Sequence, residues 1–268
     1  MKPAQARILL TGAAGGIGRE AAAAFSRAGA AVLLAGRTPA RLSALARRLG
    51  AEPRVSWAAA DLQDPAQIER LADTAAQWGC NVVVHAAGTP AFGALAAHDA
   101  QAMSAMMHTN LLAPMLLTRA LLEHLRAQPR AQVMCVGSVL GRIGLPGFSL
   151  YCAAKFGLRG FAESLRRELA GSGVRVQYLG PRSTRTDFND AQVQAYNRAT
   201  GAATDEPGLV AAALLRMLED ERAERFLGFP EKLAVRINGL APTLLDGSFR
   251  RHSASLQSPQ PTPERITT

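Results

Sequence analysis

Residues 7–18 read Arg7-Ile8-Leu9-Leu10-Thr11-Gly12-Ala13-Ala14-Gly15-Gly16-Ile17-Gly18. Positions 7–10 form a short apolar run of strand type, and a helical pattern opens at 16 and continues to 28. Glycines between them let backbone N–H groups approach a pyrophosphate at the positive end of a helix. A glycine-rich turn alone is a weak signal, but its place between the first strand and first helix of a βαβ unit strengthens it. Gly12, Gly16 and Gly18 are read as the cradle, with Ile17 at its helical edge and Gly15 as a permissive member of the turn.

Outward from this stretch the same alternation repeats. Strand-like runs stand at 31–35, 55–59, 81–85, 132–136 and 174–179, separated by helical patterns at 39–49, 65–78, 99–126 and 151–169. Near-continuously apolar strands alternating with helices predict a parallel sheet covered on both faces. Right-handed crossovers make it an α/β, doubly wound parallel sheet of the Rossmann type. Residues 181–204 read as loop, followed by a helix at 206–224 and a short run at 225–229. The expected organisation is a nucleotide-binding and catalytic domain over 1–229, an amphipathic helical extension over 230–249, and a disordered tail over 250–268, rich in Ser, Pro and Thr.

At 268 residues and 48% hydrophobic content the chain supports one sizeable core. No apolar run approaches the ~18 residues of a spanning helix, and the start turns glycine-rich too soon for a secretory signal, so the expected location is cytoplasmic. Cys80, Cys135 and Cys152 are odd in number and lack metal-ligand spacing, which reads as buried thiols and no metal. The net charge of +9 is concentrated in 1–60, with nine basic and two acidic groups, and in 131–200, with nine and four. Aromatics are only 5% and no basic run exists, which argues against nucleic acid. What remains is an arginine-rich background or attraction of phosphate-bearing ligands.

Tyr151 and Lys155 stand at i and i+4, so a phenol and an ammonium share one helical face. A phenol titrates near about pH 10 in water, and a neighbouring cation favours its ionised form. Ser138 lies thirteen residues upstream of Tyr151. Lysine is scarce: only Lys2, Lys155 and Lys232 interrupt a set of 30 basic residues. Arginine is larger and planar and does not replace a compact ammonium beside a phenol. At the end of the second strand stands Gly36-Arg37 instead of an acidic residue. An acid there would hold a ribose 2′-OH, whereas an arginine accommodates a 2′-phosphate. Arg37 therefore predicts NADP (NADPH) over NAD, the alternative being a solvated residue at the start of the next helix. Asp61-Leu62 ends the third strand, where Asp61 meets an adenine amino group or else caps the next helix.

Thr11-Gly12-x-x-x-Gly16-Ile17-Gly18, Asp61-Leu62, Ala86-Ala87-Gly88, Asn110, Ser138 and Tyr151-x-x-x-Lys155 together resemble the short-chain dehydrogenase/reductase family, in order and spacing, over about 6–190. The resemblance implies carbonyl–alcohol interconversion by hydride transfer. Tyr151 is then the general acid, Lys155 lowers its pKa and holds the nicotinamide ribose, and Ser138 bonds the substrate oxygen. Asn110 kinks its helix and holds a water linking Lys155 to solvent. Ala87 and Gly88 pack against the cofactor, and Pro181 and Thr186 meet the nicotinamide end. Two departures stand out. The usual Asn-Asn-Ala-Gly is His85-Ala86-Ala87-Gly88 here, and Arg182 follows Pro181 where relatives have glycine. In similar proteins the helices at 99–126 and 151–169 form subunit contacts, which implies a homodimer or homotetramer.

The loop at 139–148 is mostly apolar and, with Phe92 and Phe188, points to a greasy pocket. Arg142, Arg182 and Arg185 beside it suit an acidic handle, so a 3-oxoacyl thioester on a carrier or coenzyme A is the expected substrate. In the extension, Leu233, Ile237, Leu240 and Leu244 recur at helical spacing, with Lys232 and Arg236 flanking. Such a stripe is expected to pack on the domain or a second subunit, membrane contact being the lesser alternative. The rival functions are an NAD-linked alcohol or steroid dehydrogenase and an idle dinucleotide-sensing regulator, which has no need of a full Asn-Ser-Tyr-Lys set.

Overall fold

The computed structural model describes residues 1–50 and 54–257. Seven strands form one parallel sheet: β1 (Arg7–Thr11), β2 (Ala31–Gly36), β3 (Val55–Ala59), β4 (Val82–His85), β5 (Ala131–Val136), β6 (Val174–Gly180) and β7 (Glu224–Phe226). Their order is β3-β2-β1-β4-β5-β6-β7. Every position of β4 and of β5 is buried, because helices cover both faces and leave no wet side to alternate with. The order reverses between β1 and β4, and this switch point opens a crevice at the carboxyl ends of the strands.

One face carries α1 (Gly16–Arg27), α2 (Pro39–Leu49) and α8 (Pro207–Asp220), packed through Phe25, Leu42 and Leu214. The other carries α3 (Pro65–Gln77), α5 (Ala113–Arg126) and α6 (Ser149–Glu168), packed through Ile68, Leu121 and Leu158. Asp64 starts α3 by accepting a bond from the Ala66 amide, and proline stands in the first turn of α2, α3 and α8.

Four expectations change. The helix expected over 99–126 is broken into α4 (Ala100–Met107), a wide π-type turn at His108–Leu112, and α5. Pro114 has no amide hydrogen to donate, and the turn before it widens. The stretch expected as loop contains α7 (Ala191–Thr200), capped by the Asp190 side chain on the Val193 amide and ended by Gly201 at φ 69. The extension is α9 (Glu231–Leu240) followed by a 3-10 run, Pro242–Phe249, rather than one continuous helix. The tail expected to be disordered begins with a helix, α10 (Arg250–Gln257), and the rest of it lies outside the described residues.

Candidate active site

The crevice is a cavity of about 1040 Å³ reaching from the glycine-rich turn to the C-terminal segment. At Gly12, φ is 65 and an added Cβ would lie 2.7 Å from the Ala87 backbone. At Gly18 it would lie 2.1 Å from the Gly12 carbonyl, and at Gly16 it would strike the Thr186 side chain at 2.3 Å. These three glycines therefore let the β1–α1 turn, the turn after β4 and the loop after β6 close on one another. Gly15 meets nothing nearer than 3.2 Å, in keeping with a permissive role. Thr11 Oγ1 fastens the same junction, accepting bonds from the Ala86 and Ala87 amides at 3.1 and 3.2 Å. Gly12, Gly15, Gly16, Ile17, Gly18, Arg37, Asp61, Leu62, Ala87, Gly88, Pro181 and Thr186 all line the cavity, as do Ser138, Tyr151 and Lys155.

Beyond the turn the wall is basic. Arg37 follows β2, and Arg19, Arg41 and Arg48 reach the same wall from α1 and α2. All four are exposed, and among the described residues none is in an ion pair. Asp61 accepts from the Gln63 amide at 3.0 Å and leaves capping of α3 to Asp64, so the capping alternative does not apply.

At the centre, Tyr151 and Lys155 project from successive turns of α6 toward Ser138, which follows β5. The Ser138 hydroxyl lies beside the Tyr151 phenol, close enough to act on its ionisation, and accepts from the Leu140 amide at 3.1 Å. Lys155 is buried, donates to the Val136 carbonyl at 3.1 Å and lies 5.6 Å from the Tyr151 ring centroid. Burial lowers its ammonium to about 8. Burial also raises the Tyr151 phenol. The lowering of the phenol expected from Lys155 is not seen: burial dominates, the neighbouring Cys152 adds to it, and the opposing pull comes from Ser138. At neutral pH the phenol carries its proton, the form that can donate it.

Asn110 is buried in the π-type turn and is committed at both ends: Oδ1 accepts from the Thr89 amide and Nδ2 donates to the Thr89 carbonyl, each at 2.8 Å. It lies in the widened turn and fixes the loop that carries Gly88. Ser138 has a support that sequence reasoning missed. The Tyr178 phenol, buried in β6, donates to the Ser138 carbonyl at 2.8 Å and accepts from its amide at 3.0 Å. Room for this ring comes from Gly137 and Gly141, where a Cβ would sit 2.1 Å from it.

The far end is aromatic. Phe92, Phe148 and Phe188 line it as expected, joined by Phe249 and His252 from the C-terminal segment, and Tyr196 packs behind them against Phe92, Phe148 and His252. Tyr196 Oη stands 2.6 Å from His252 Nδ1. Of the three arginines expected to receive an acidic handle, Arg182 alone lines the cavity, and it is already paired. Arg182 is held by buried Asp205 at 2.7 Å and by Glu231 at 3.4 Å. Arg185 pairs with Glu206 at 3.1 Å on the surface, and Arg142 lies against Gly239 of α9 instead of lining the cavity.

A family model described as short chain dehydrogenase matches residues 6–197. The chain belongs to the short-chain dehydrogenase family. It is similar to dehydrogenase/reductase SDR family member 7B of Bos taurus, at 31% identity over 253 residues, covering 88% of this chain and 78% of that protein. Among solved structures, a short-chain dehydrogenase from Streptomyces avermitilis superimposes with a TM-score of 0.78 at 26% identity, covering 91% of this chain and 96% of that one. Another, from Burkholderia cenocepacia in complex with NADP, gives 0.72 at 27% identity over 80% and 90%. This short-chain dehydrogenase is accordingly an oxidoreductase acting between CH–OH and C=O, built on a nucleotide-binding Rossmann fold. Its His85 departure is structural: the ring is buried, bonds Thr118 Oγ1 at 2.8 Å and is held neutral by burial, which lowers it to about 4.

Proposed function

We propose that this short-chain dehydrogenase reduces an uncharged, apolar carbonyl compound with NADPH. The observation that carries the reading is that Ser138, Tyr151 and Lys155 meet in one cavity whose far wall is aromatic and whose opposite wall is lined by arginines in no ion pair among the described residues. Guanidinium groups suit a phosphate geometrically and by charge, so Arg37, with Arg41 and Arg48 on the same wall, is assigned to the 2′-phosphate. The Burkholderia relative solved with NADP is consistent with this preference. The glycine cradle receives the pyrophosphate, Asp61 and Leu62 the adenine, Ala87 and Gly88 the middle of the dinucleotide, and Pro181 and Thr186 its nicotinamide end.

The nucleotide, when bound, supplies the hydride. Ser138 Oγ holds the substrate oxygen, and Tyr151 Oη gives that oxygen its proton as charge develops. Lys155 holds the ribose and feeds the phenol from the solvent side, where Asn110 keeps the turn at Thr89 in place. With Arg182 and Arg185 already paired, an acyl thioester enters by its apolar chain and not by an acidic handle. The exposed apolar residues Leu112, Met115 and Phe156, on and beside α5 and α6, suit the expected homodimer or homotetramer. The free, buried Cys80, Cys135 and Cys152 suit a reducing, cytoplasmic setting.

The test is consumption of NADPH and NADH with apolar ketones, aldehydes and 3-oxoacyl thioesters. NADPH is expected to be preferred, and Tyr151→Phe to lower kcat by about 10²- to 10⁴-fold. Preference for NADH, or a Tyr151→Phe variant as fast as wild type, sinks the reading.

A further inference from the structure

The apolar stripe of the C-terminal segment does not pack where its periodicity predicts. Leu240 is 89% exposed, Leu244 73% and Leu233 50%, and Phe229, just before α9, is 77% exposed. The residue of α9 that is buried is Val235, against Val139 and Ile143. The opposite flank of the same segment closes the substrate cavity: Pro230, Glu231, Ala234 and Phe249 line it. One short segment therefore walls the active site with one side and leaves large apolar side chains in water with the other. Contiguous exposed apolar surface of this kind marks a contact site.

The surrounding charge says what kind. Lys232, Arg236 and Arg250 are exposed around the stripe. Glu231 is drawn inward to Arg182, which leaves Asp246 as the acidic group of 229–250 with no ion pair among the described residues. Apolar side chains projecting between basic ones match an anionic lipid surface, where leucines enter the acyl boundary and lysine and arginine meet the headgroups. A second copy of the chain is a poorer fit, since a two-fold contact through this face sets like charges against one another. We propose that α9 and the run after it lie on an anionic membrane surface, with the cavity wall at the lipid boundary. Among the described residues no helix is long and apolar enough to cross a membrane, so the contact is interfacial.

Flotation with vesicles tests this without reference to turnover. The full chain is expected to float with phosphatidylcholine vesicles containing phosphatidylglycerol, to float poorly with phosphatidylcholine alone, and to be released by salt. Leu240→Ser/Leu244→Ser is expected to abolish flotation. Both residues are mostly exposed and outside the cavity, so turnover of a water-soluble ketone is expected to be kept. Lys232→Gln/Arg236→Gln is expected to weaken binding to anionic vesicles about 30-fold, the loss of two charges at the surface. Wild type remaining with the soluble fraction overturns the proposal. So does retained flotation in the leucine variant, and so does a wild-type dimer that the leucine variant splits while neither binds vesicles.

Discussion

The two ends of the cavity handle arginine in opposite ways. On the α1–α2 side, Arg19, Arg37, Arg41 and Arg48 are exposed and in no ion pair among the described residues. On the aromatic side, Arg182 is tied to Asp205 and Glu231, and Arg185 to Glu206. An exposed pair contributes little stability, but a guanidinium already bonded to two carboxylates has few donors left for a ligand. The difference separates the demands of two reactants. Positive charge is left available where an anionic nucleotide would lie and is neutralised where a neutral carbonyl would react. Net charge alone conceals this, because the total of +9 does not say which arginines have partners.

The comparison is broken most directly at its basic end. Arg37→Ala/Arg41→Ala is expected to raise the KM for NADPH about 10²- to 10⁴-fold, each charged hydrogen bond being worth about 1.5–3 kcal/mol. The KM for NADH is expected to stay within about twofold, since NADH carries no 2′-phosphate. Steady-state kinetics with both nucleotides decides it. An equal loss for both would mean that these arginines act on the shared pyrophosphate or on the fold.

Much of this was legible in the sequence, for physical reasons. Buried parallel strands must be apolar throughout, and crossings where an added Cβ would lie 2.1 Å from facing backbone admit only glycine, so sheet and cradle announce themselves. Tyr151 and Lys155 meet by helical spacing alone. What could not be read depends on partners distant along the chain. Tyr178 stands in a run that reads as an apolar strand, and its bonds to Ser138 span 40 positions. Arg182 finds Asp205 and Glu231 at separations of 23 and 49. Helix α7 was missed because Val193 and Tyr196 are its only buried residues, although Asp190 and Gly201 mark its ends by ordinary capping chemistry. The stripe on α9 had the right period for burial, but period does not say whether a partner exists.

The catalytic centre between the two ends is arranged like the aromatic side, by bonds internal to the protein. Tyr178→Phe removes the hydroxyl that serves both the amide and the carbonyl of Ser138. An unsatisfied buried group costs about 1–3 kcal/mol, so melting temperature falls. Loosened placement of Ser138 is expected to lower kcat about 10-fold with little change in KM. A purely structural role would lower the melting temperature and leave kcat intact at low temperature. The decisive measurement is a cycle with Ser138→Ala: if Tyr178 acts through Ser138, the double variant is no slower than Ser138→Ala alone.

The smallest kinetic effect is expected at Arg182, and its smallness is informative. Arg182→Gln keeps a donor near Asp205 but removes the cation that pairs with this buried carboxylate. Leaving a buried acid short of its partner destabilises the fold, here by about 1–3 kcal/mol because Arg182 is itself partly exposed. If the aromatic side takes neutral carbonyls, KM for an apolar ketone changes by no more than about twofold at temperatures where the variant is folded, a change of about 0.4 kcal/mol. A substrate with an acidic group is the sensitive control. Should its KM rise about 10-fold while the neutral ketone is unaffected, Arg182 exchanges its carboxylates for the substrate's. The two ends of the cavity would then differ in occupancy and not in kind.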